Sequence, residues 1–424
     1  MKARAIRSRI KAAGCLALAL SAPPGYAGGY AILTQSTSSL GNVVAAGAAA
    51  EDASTVWANP AGMSLLPGTF NLVGGGTAVF ASHKYQDRGS TGLFAFPGTG
   101  EGGDAGSTGA VPYFYLTGRL PFFSGRVVAG IGVNAPFGLK TEYDAGWRGA
   151  PIAVKSEAQS VNINPSLSIQ LGQGIYFGLG MSVQRFKAEL TNETMFGPLA
   201  VSARDTSTGF NVGVLVKNAG DARLGIAYRS AIGYRLTGDA SFSAAPMLNG
   251  NVVADLKVPE TLSVSGFTPA GPKWELMFDV TFTRWSRQDV ITVIQTTGIN
   301  AGAVLAPLDY HWRNTQTIGI AGNYKPFADP RTKIRFGIGY DQTPTRDATR
   351  APGLPNQDSL AFAIGWHQKN PGGVPGAIDI AAMYQRIKDA EINRSTSPPI
   401  PGSNLIGRVS NKLPILALQY SRTF

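Results

Sequence analysis

A chain of 424 residues has room for two or three soluble domains, but 53 glycines, 15% charged residues and a mean hydropathy near zero argue against that organisation. No apolar run beyond the first 27 residues is long enough for a spanning helix, so a membrane would have to be crossed by strands. The formal charge of +11 comes without any long basic run, which leaves nucleic-acid binding without support.

Residues 1–27 have the three parts of a secretory signal. Lys2, Arg4, Arg7, Arg9 and Lys11 form the basic start, Ala12 to Leu20 the apolar part, and Gly25, Tyr26 and Ala27 a small-residue cleavage site. Cleavage after Ala27 leaves 32 basic against 26 acidic residues, a charge of +6 that suits contact with anionic lipid headgroups. Cys15, the one cysteine, lies inside this leader. The apolar stretch follows it, which argues against lipidation, and the remaining chain would hold no disulfide, thiolate metal site or cysteine nucleophile.

Residues 28–67 lack strand alternation and are rich in small side chains. Val43 to Glu51, mostly alanine and glycine, is expected to form a short helix. Asp52 or Ser54 is placed to cap a second one, which Pro60 would end or kink while biasing Asn59 away from helical geometry. A compact segment followed by two-faced strands points to a hatch inside a membrane β-barrel, which makes residues 68–424 the barrel.

Those strands alternate with period two. Val161, Ile163, Leu167 and Ile169 alternate with Asn162, Asn164, Ser166 and Ser168. Trp274, Leu276, Phe278, Val280 and Phe282 alternate with Lys273, Glu275, Asp279, Thr281 and Thr283, and Leu360, Phe362, Ile364 and Trp366 behave likewise. About fourteen such stretches of spanning length follow one another, near 69–83, 110–120, 126–136, 158–170, 174–190, 206–217, 222–240, 258–268, 273–285, 314–324, 332–341, 358–368, 376–387 and 413–424. Their connections alternate between long (84–109, 137–157, 191–205, 241–257, 286–313, 342–357, 388–412) and short, as external loops and periplasmic turns do. Trp285, Tyr324, Tyr340, Trp366, Tyr384 and Tyr420 near strand ends fit aromatic girdles. The fold class expected is all-β: a transmembrane antiparallel barrel of about 14 strands with an N-terminal helical hatch in its lumen.

Catalytic chemistry finds little footing. His83, His311 and His367 are far apart, there is no G-x-S-x-G elbow, and no histidine pair has metal spacing. No catalytic residue, metal or cofactor is expected.

The chain resembles the outer-membrane long-chain fatty-acid transporter (FadL-type) family, which includes aromatic-hydrocarbon uptake proteins. The resemblance rests on Ser39 to Asn42, Asp52 to Thr55 and Asn59-Pro60-Ala61 in the hatch. It continues through Phe137-Gly138-Leu139, Val161 to Leu167, Asp279 to Arg287 and Gly339 to Gln342, in the shared order. The chain also ends on a strand closing at Phe424, similar to the signal read by the outer-membrane assembly machinery, although Arg422 departs from it. The resemblance implies a monomer in the bacterial outer membrane, among lipid and lipopolysaccharide. It implies passive passage of a hydrophobic ligand, a fatty acid or a hydrocarbon, from an apolar pocket through a gap in the wall. It places that gap where the third strand kinks near Asn59, Pro60 and Ala61, with Asp52 in the same hatch motif. Asn134, Pro136, Phe137 and Gly138 give a physical reason for the kink, since proline donates no ladder bond and glycine packs no side chain. A ligand carboxylate would want a luminal cation, and Arg185, Lys187, Arg223 and Arg335 are the candidates. The alternatives are a general porin, which a hatch argues against, and an enzyme or adhesin on a barrel scaffold.

Overall fold

Alternation decides which way each strand faces. The computed structural model describes residues 28–121, 123–327, 331–397 and 399–424, and the expected leader, 1–27, lies outside the described residues. Leu167 is 47% exposed and Ile163 43%, while Asn164 and Ser168 are 1% exposed. Polar side chains point inward and apolar ones outward, the reverse of a soluble sheet and the arrangement that lipid demands.

The strands are β1 (Phe70–Phe80), β2 (Thr108–Arg119), β3 (Val127–Asn134, then Gly138–Glu142), β4 (Lys155–Gly172) and β5 (Ile175–Thr194). Next come β6 (Gly197–Lys217), β7 (Arg223–Arg229, then Ile232–Phe242), β8 (Gly250–Val258, then Thr261–Ala270) and β9 (Trp274–Thr283, then Val290–Gln295). The last are β10 (Val304–Asp309, then Thr315–Tyr324), β11 (Thr332–Asp341), β12 (Ser359–Lys369), β13 (Ala377–Ile387) and β14 (Leu405–Thr423). Neighbours pair antiparallel, and β14 closes on β1 from Asn71 opposite Thr423 to Val79 opposite Ile415. The result is a closed fourteen-stranded barrel, and each stretch expected from alternation falls on one of its strands.

Six of the seven expected loops contain strand, 342–357 being the exception. Of these, 84–109 holds the end of a strand at Ser82–Asp87, 137–157 holds Gly138–Glu142, and 388–412 holds Ala390–Arg394 and the start of β14. β5 and β6 have 20 and 21 residues, about twice what a bilayer needs. Their hairpin therefore projects outward over 191–205, and strand segments also occupy parts of 241–257 and 286–313. Inward Leu199, Val201, Val252 and Leu256 are buried there, so the alternation continues beyond the membrane. Trp285 is a second correction. It is buried within an aromatic cluster facing the lumen and belongs to no girdle.

Leu179, midway along the outward apolar run Ile175, Phe177, Leu179, Met181 and Val183, marks the middle of the lipid-facing band. Leu179→Arg is expected to destabilise the folded barrel by about 2–4 kcal/mol, read as a shift in the urea midpoint in lipid bilayers. The luminal Ser182→Ala is expected to have a much smaller effect.

Candidate functional site

Small side chains let the N-terminal segment lie against the inner wall. Helix α1 (Thr37–Gly41) starts at Ser36, whose Oγ accepts the Ser39 N–H at 3.2 Å. The helix expected over Val43–Glu51 is absent. Those residues form turns, with Val43, Val44 and Ala50 at positive φ. Helix α2 (Thr55–Ala58) ends at Asn59, which is extended, and Pro60 opens a 3-10 turn to Leu65. Asp52 precedes α2, accepts the Ser54 N–H at 2.9 Å, and is bound by Ser38 and by Gln419 of β14, each at 2.8 Å.

Asn59, Pro60 and Ala61 dock on glycines. Asn59 Oδ1 accepts the Ala61 N–H at 3.1 Å, and its Nδ2 donates to the carbonyls of Val214 and Ile226 at 3.2 and 3.4 Å. A Cβ at Gly178 would overlap the main chain of Pro60 and Ala61, and one at Gly213 would overlap the Asn59 side chain. Ser168 Oγ donates to the Ala61 carbonyl at 3.0 Å.

A buried charge network fixes the other flank. Arg335 on β11 bonds Glu51 at 2.7 Å and Asp379 of β13 at 3.1 Å, and Lys333 bonds Glu51 at 3.0 Å and Glu275 of β9 at 3.2 Å. Burial alone would raise the Glu51 carboxyl, but the charges of Arg335 and Lys333 hold it well below the ordinary glutamate range. A lowered folded value stabilises the ionised form. The contribution is therefore complete at neutral pH and is lost as pH falls through that lowered value.

Asn134, Pro136, Phe137 and Gly138 lie together at a break in the wall. The pair Phe114–Val133 is the last in the β2–β3 ladder. Beyond it, Thr108–Tyr113 pair with β1, and Gly138–Glu142 pair with β4. The end of β3 next meets the run that leads into β2, where the Glu142 N–H bonds the Ala105 carbonyl at 3.0 Å. The luminal segment takes the vacated place. The Ile32 N–H bonds the Pro136 carbonyl at 2.8 Å, and the Gly138 N–H bonds the Tyr30 carbonyl at 2.9 Å. Asn134 Nδ2 donates to Gln35 Oε1 at 3.0 Å, tying the break to the segment.

Tyr30 sits in an aromatic cluster, with ring centroids 5.1–6.1 Å from Phe137, Phe186, Trp285 and Trp312. Between the segment and β7–β9 is a cavity of about 210 Å³, lined by Ile32, Trp57, Phe137, Arg229, Ser263 and Thr283 among others.

The four cations expected to meet a carboxylate part company here. Arg185 and Lys187 point outward, because they share strand parity with exposed Leu179 and Met181, and Lys187 pairs with Glu189. Arg223 faces inward but holds Asp221 at 2.9 Å and lies 4.6 Å from the Phe267 ring centre. Arg335 borders the cavity but is occupied by Glu51 and Asp379. A fifth, Arg229, borders the cavity with no carboxylate in ion-pair distance among the described residues. It donates to Ser182 Oγ at 3.1 Å and to the Trp57 carbonyl at 2.8 Å, and stacks 3.5 Å from the Trp57 ring centre.

A closed barrel with lipid-facing apolar strands and a segment docked in its lumen defines an outer-membrane channel protein. The family model described as outer membrane protein transport protein (OMPP1/FadL/TodX) matches residues 18–424, and the chain belongs to that family of transporters and channels, located in the outer membrane. Outer membrane protein P1 of Haemophilus influenzae is 26% identical over 401 residues, 82% of this chain and 84% of that protein. The long-chain fatty acid transport protein of Escherichia coli O6:H1 is 24% identical over 431 residues, 90% and 92% of the two chains. Among solved structures, a Pseudomonas aeruginosa FadL homologue superposes with a TM-score of 0.83 at 22% identity, covering 93% of this chain and all of that one. The Ralstonia pickettii toluene transporter TbuX gives 0.64 at 16% identity, covering 88% and 94%. At these identities the structural likeness speaks for the fold.

Proposed function

We propose that the chain is a passive channel for hydrophobic carboxylates, long-chain fatty acids foremost, which leave the lumen sideways through the β2–β3 break. The carrying observation is Arg229, a partly buried luminal cation beside the cavity with no carboxylate partner among the described residues. A fatty-acid carboxylate supplies that partner through charge-assisted hydrogen bonds, and each methylene buried contributes about 0.8 kcal/mol. The same apolar gain makes release into water unfavourable, so an exit into the membrane interior suits this ligand. The hatch, with Asp52, Asn59, Pro60 and Ala61 at its docking surface, blocks a straight watery path, which disfavours a general porin.

A second reading has its own observation. At about 210 Å³ the cavity is smaller than the roughly 300–1,000 Å³ of typical ligand sites, which favours a small aromatic hydrocarbon unless the segment around Tyr30 yields. Equilibrium binding of oleate and toluene to purified protein separates the two. Arg229→Gln is expected to weaken oleate binding by about 1.5–3 kcal/mol, the worth of a hydrogen bond to a charged group, and to leave toluene unchanged. Equal oleate binding by the variant and the wild type contradicts the carboxylate role, and toluene binding without oleate binding selects the hydrocarbon reading.

A further inference from the structure

The β2–β3 break has a counterpart across the barrel. β6 and β7 pair up to Asn211 opposite Arg229, and pair again from Arg204 opposite Thr237. Between these points β7 carries one residue more than β6, and no ladder pair joins them. Each strand stays paired on its other side, β6 with β5 and β7 with β8. The lower corner is closed by Ser230, whose N–H bonds the Phe210 carbonyl and whose Oγ accepts the Phe210 N–H, both at 2.9 Å. The upper corner is closed by Asp205 Oδ2, which accepts the Arg235 N–H at 2.9 Å. From Thr206 to Gly209 and from Ala231 to Tyr234, no main-chain bond crosses the seam among the described residues.

The surroundings say what such a gap would admit. Just below it on the outer face, Phe210 and Tyr228 form an exposed aromatic pair, 5.9 Å between centroids, at the top of the apolar band. Around and above it, Arg185, Arg204 and Arg235 are exposed and have no carboxylate within ion-pair distance among the described residues. Four carboxylates lie near, of which Glu189 of β5, opposite Ser202, is held by Lys155 and Lys187. Asp205 is engaged as above, Asp239 accepts from Asn251 at 2.8 Å, and Asp255 stands opposite Arg235 on β8. On the inner face the gap opens onto Ile232, Tyr234 and Phe186, and Phe186 borders Tyr30. Ile232 covers it, since its Cγ1 stands 2.7 Å from where a Cβ on Gly209 would be.

We propose that the β6–β7 gap is a second lateral window, through which an anionic amphiphile lying in the outer leaflet passes its apolar chain into the aromatic cluster while Arg185, Arg204 and Arg235 hold its headgroup. This access route rests on the fatty-acid reading. It differs from the β2–β3 break in its position on the wall and in its direction of traffic. Unpaired strand edges can part without unfolding the barrel, and moving Ile232 aside uncovers the opening.

A cysteine pair tests it. Cys15 in the leader is the one native cysteine, so Gly209→Cys with Ile232→Cys places the sole two thiols of the mature chain across the gap. Oleate and toluene uptake are measured in cells lacking their own transporter, with heat-modifiable migration reporting the folded barrel. The oxidised pair is expected to lose most oleate uptake and the reduced pair to regain it. The single variant Ile232→Ala, which uncovers the gap without a crosslink, is expected to raise it. Oleate uptake unchanged by oxidation, or by Ile232→Ala, overturns the window. Wild-type uptake of toluene without oleate overturns the window and leaves the transport reading standing. Uptake of neither by the wild type overturns both.

Discussion

Gly178→Val is expected to drive the luminal segment off the wall and turn a closed barrel into a conducting one. The wall at Gly178 lies against the main chain of Pro60 and Ala61, so the added side chain meets backbone, which cannot rotate away. Overpacking of this kind costs about 1–3 kcal/mol or more, and about 1.4 kcal/mol is already tenfold in the ratio of docked to undocked segment. Single-channel conductance in planar bilayers should rise, while the variant still assembles and migrates as a heat-modifiable barrel. Gly174 lies on the same wall at the short turn into β5, with φ near +71°. Substitution there should disturb the turn and leave conductance alone. Unchanged conductance for Gly178→Val would mean that the segment does not close the lumen.

Arg335→Ala is expected to have the largest effect on docking energy. Arg335 is buried and joins Glu51 of the segment to Asp379 of the wall. Removing it leaves the buried Asp379 carboxylate with His367 at 3.0 Å and the partly buried Glu51 carboxylate with Lys333 at 3.0 Å. No ion pair among the described residues then joins the two. Breaking a buried pair from one side costs about 3–5 kcal/mol. Hydrogen exchange of the segment amides should accelerate, with the barrel strands unaffected. Glu51→Gln combined with Arg335→Met should be milder than the sum of the two single changes, by about 0.5–3 kcal/mol of coupling. Additive effects would show that the pair does not hold the segment.

Much of this architecture was legible because a barrel wall has to alternate. The runs through Asn162–Ser168 and Glu275–Thr283 could face one way only, since exposing Asn164 or Asp279 to lipid is costly. The hatch was marked by Asn59 and Pro60, whose local rules hold in the fold. Parity also contained what was missed. Leu224, Ile226 and Tyr228 face lipid, so Arg223 and Arg229 share the inward face, and parity points to Arg229 as much as to Arg223. The same reasoning turns Arg185 and Lys187 outward with Leu179 and Met181, because a one-residue shift exchanges the faces. The turns at Val43 and Val44 were not legible. The alanines of this stretch suit a helix locally although its glycine does not, but the chain here follows the wall, where Asn42 donates to Asn323 at 2.9 Å and the Val43 carbonyl lies against Gly319. The β6–β7 gap left no sequence signal beyond Gly209 and Gly233, which are two among many glycines.

The central claim is sideways passage through the β2–β3 break, and one measurement bears on it most directly. Uptake of radiolabelled oleate and toluene is compared between the wild type and a variant whose break is made strand-like by Pro136→Val and Gly138→Val, in cells lacking their own transporter. Wild-type uptake of oleate, lost in a variant that still folds and inserts, is the expected result. Equal uptake by the two proteins would contradict lateral passage at this break.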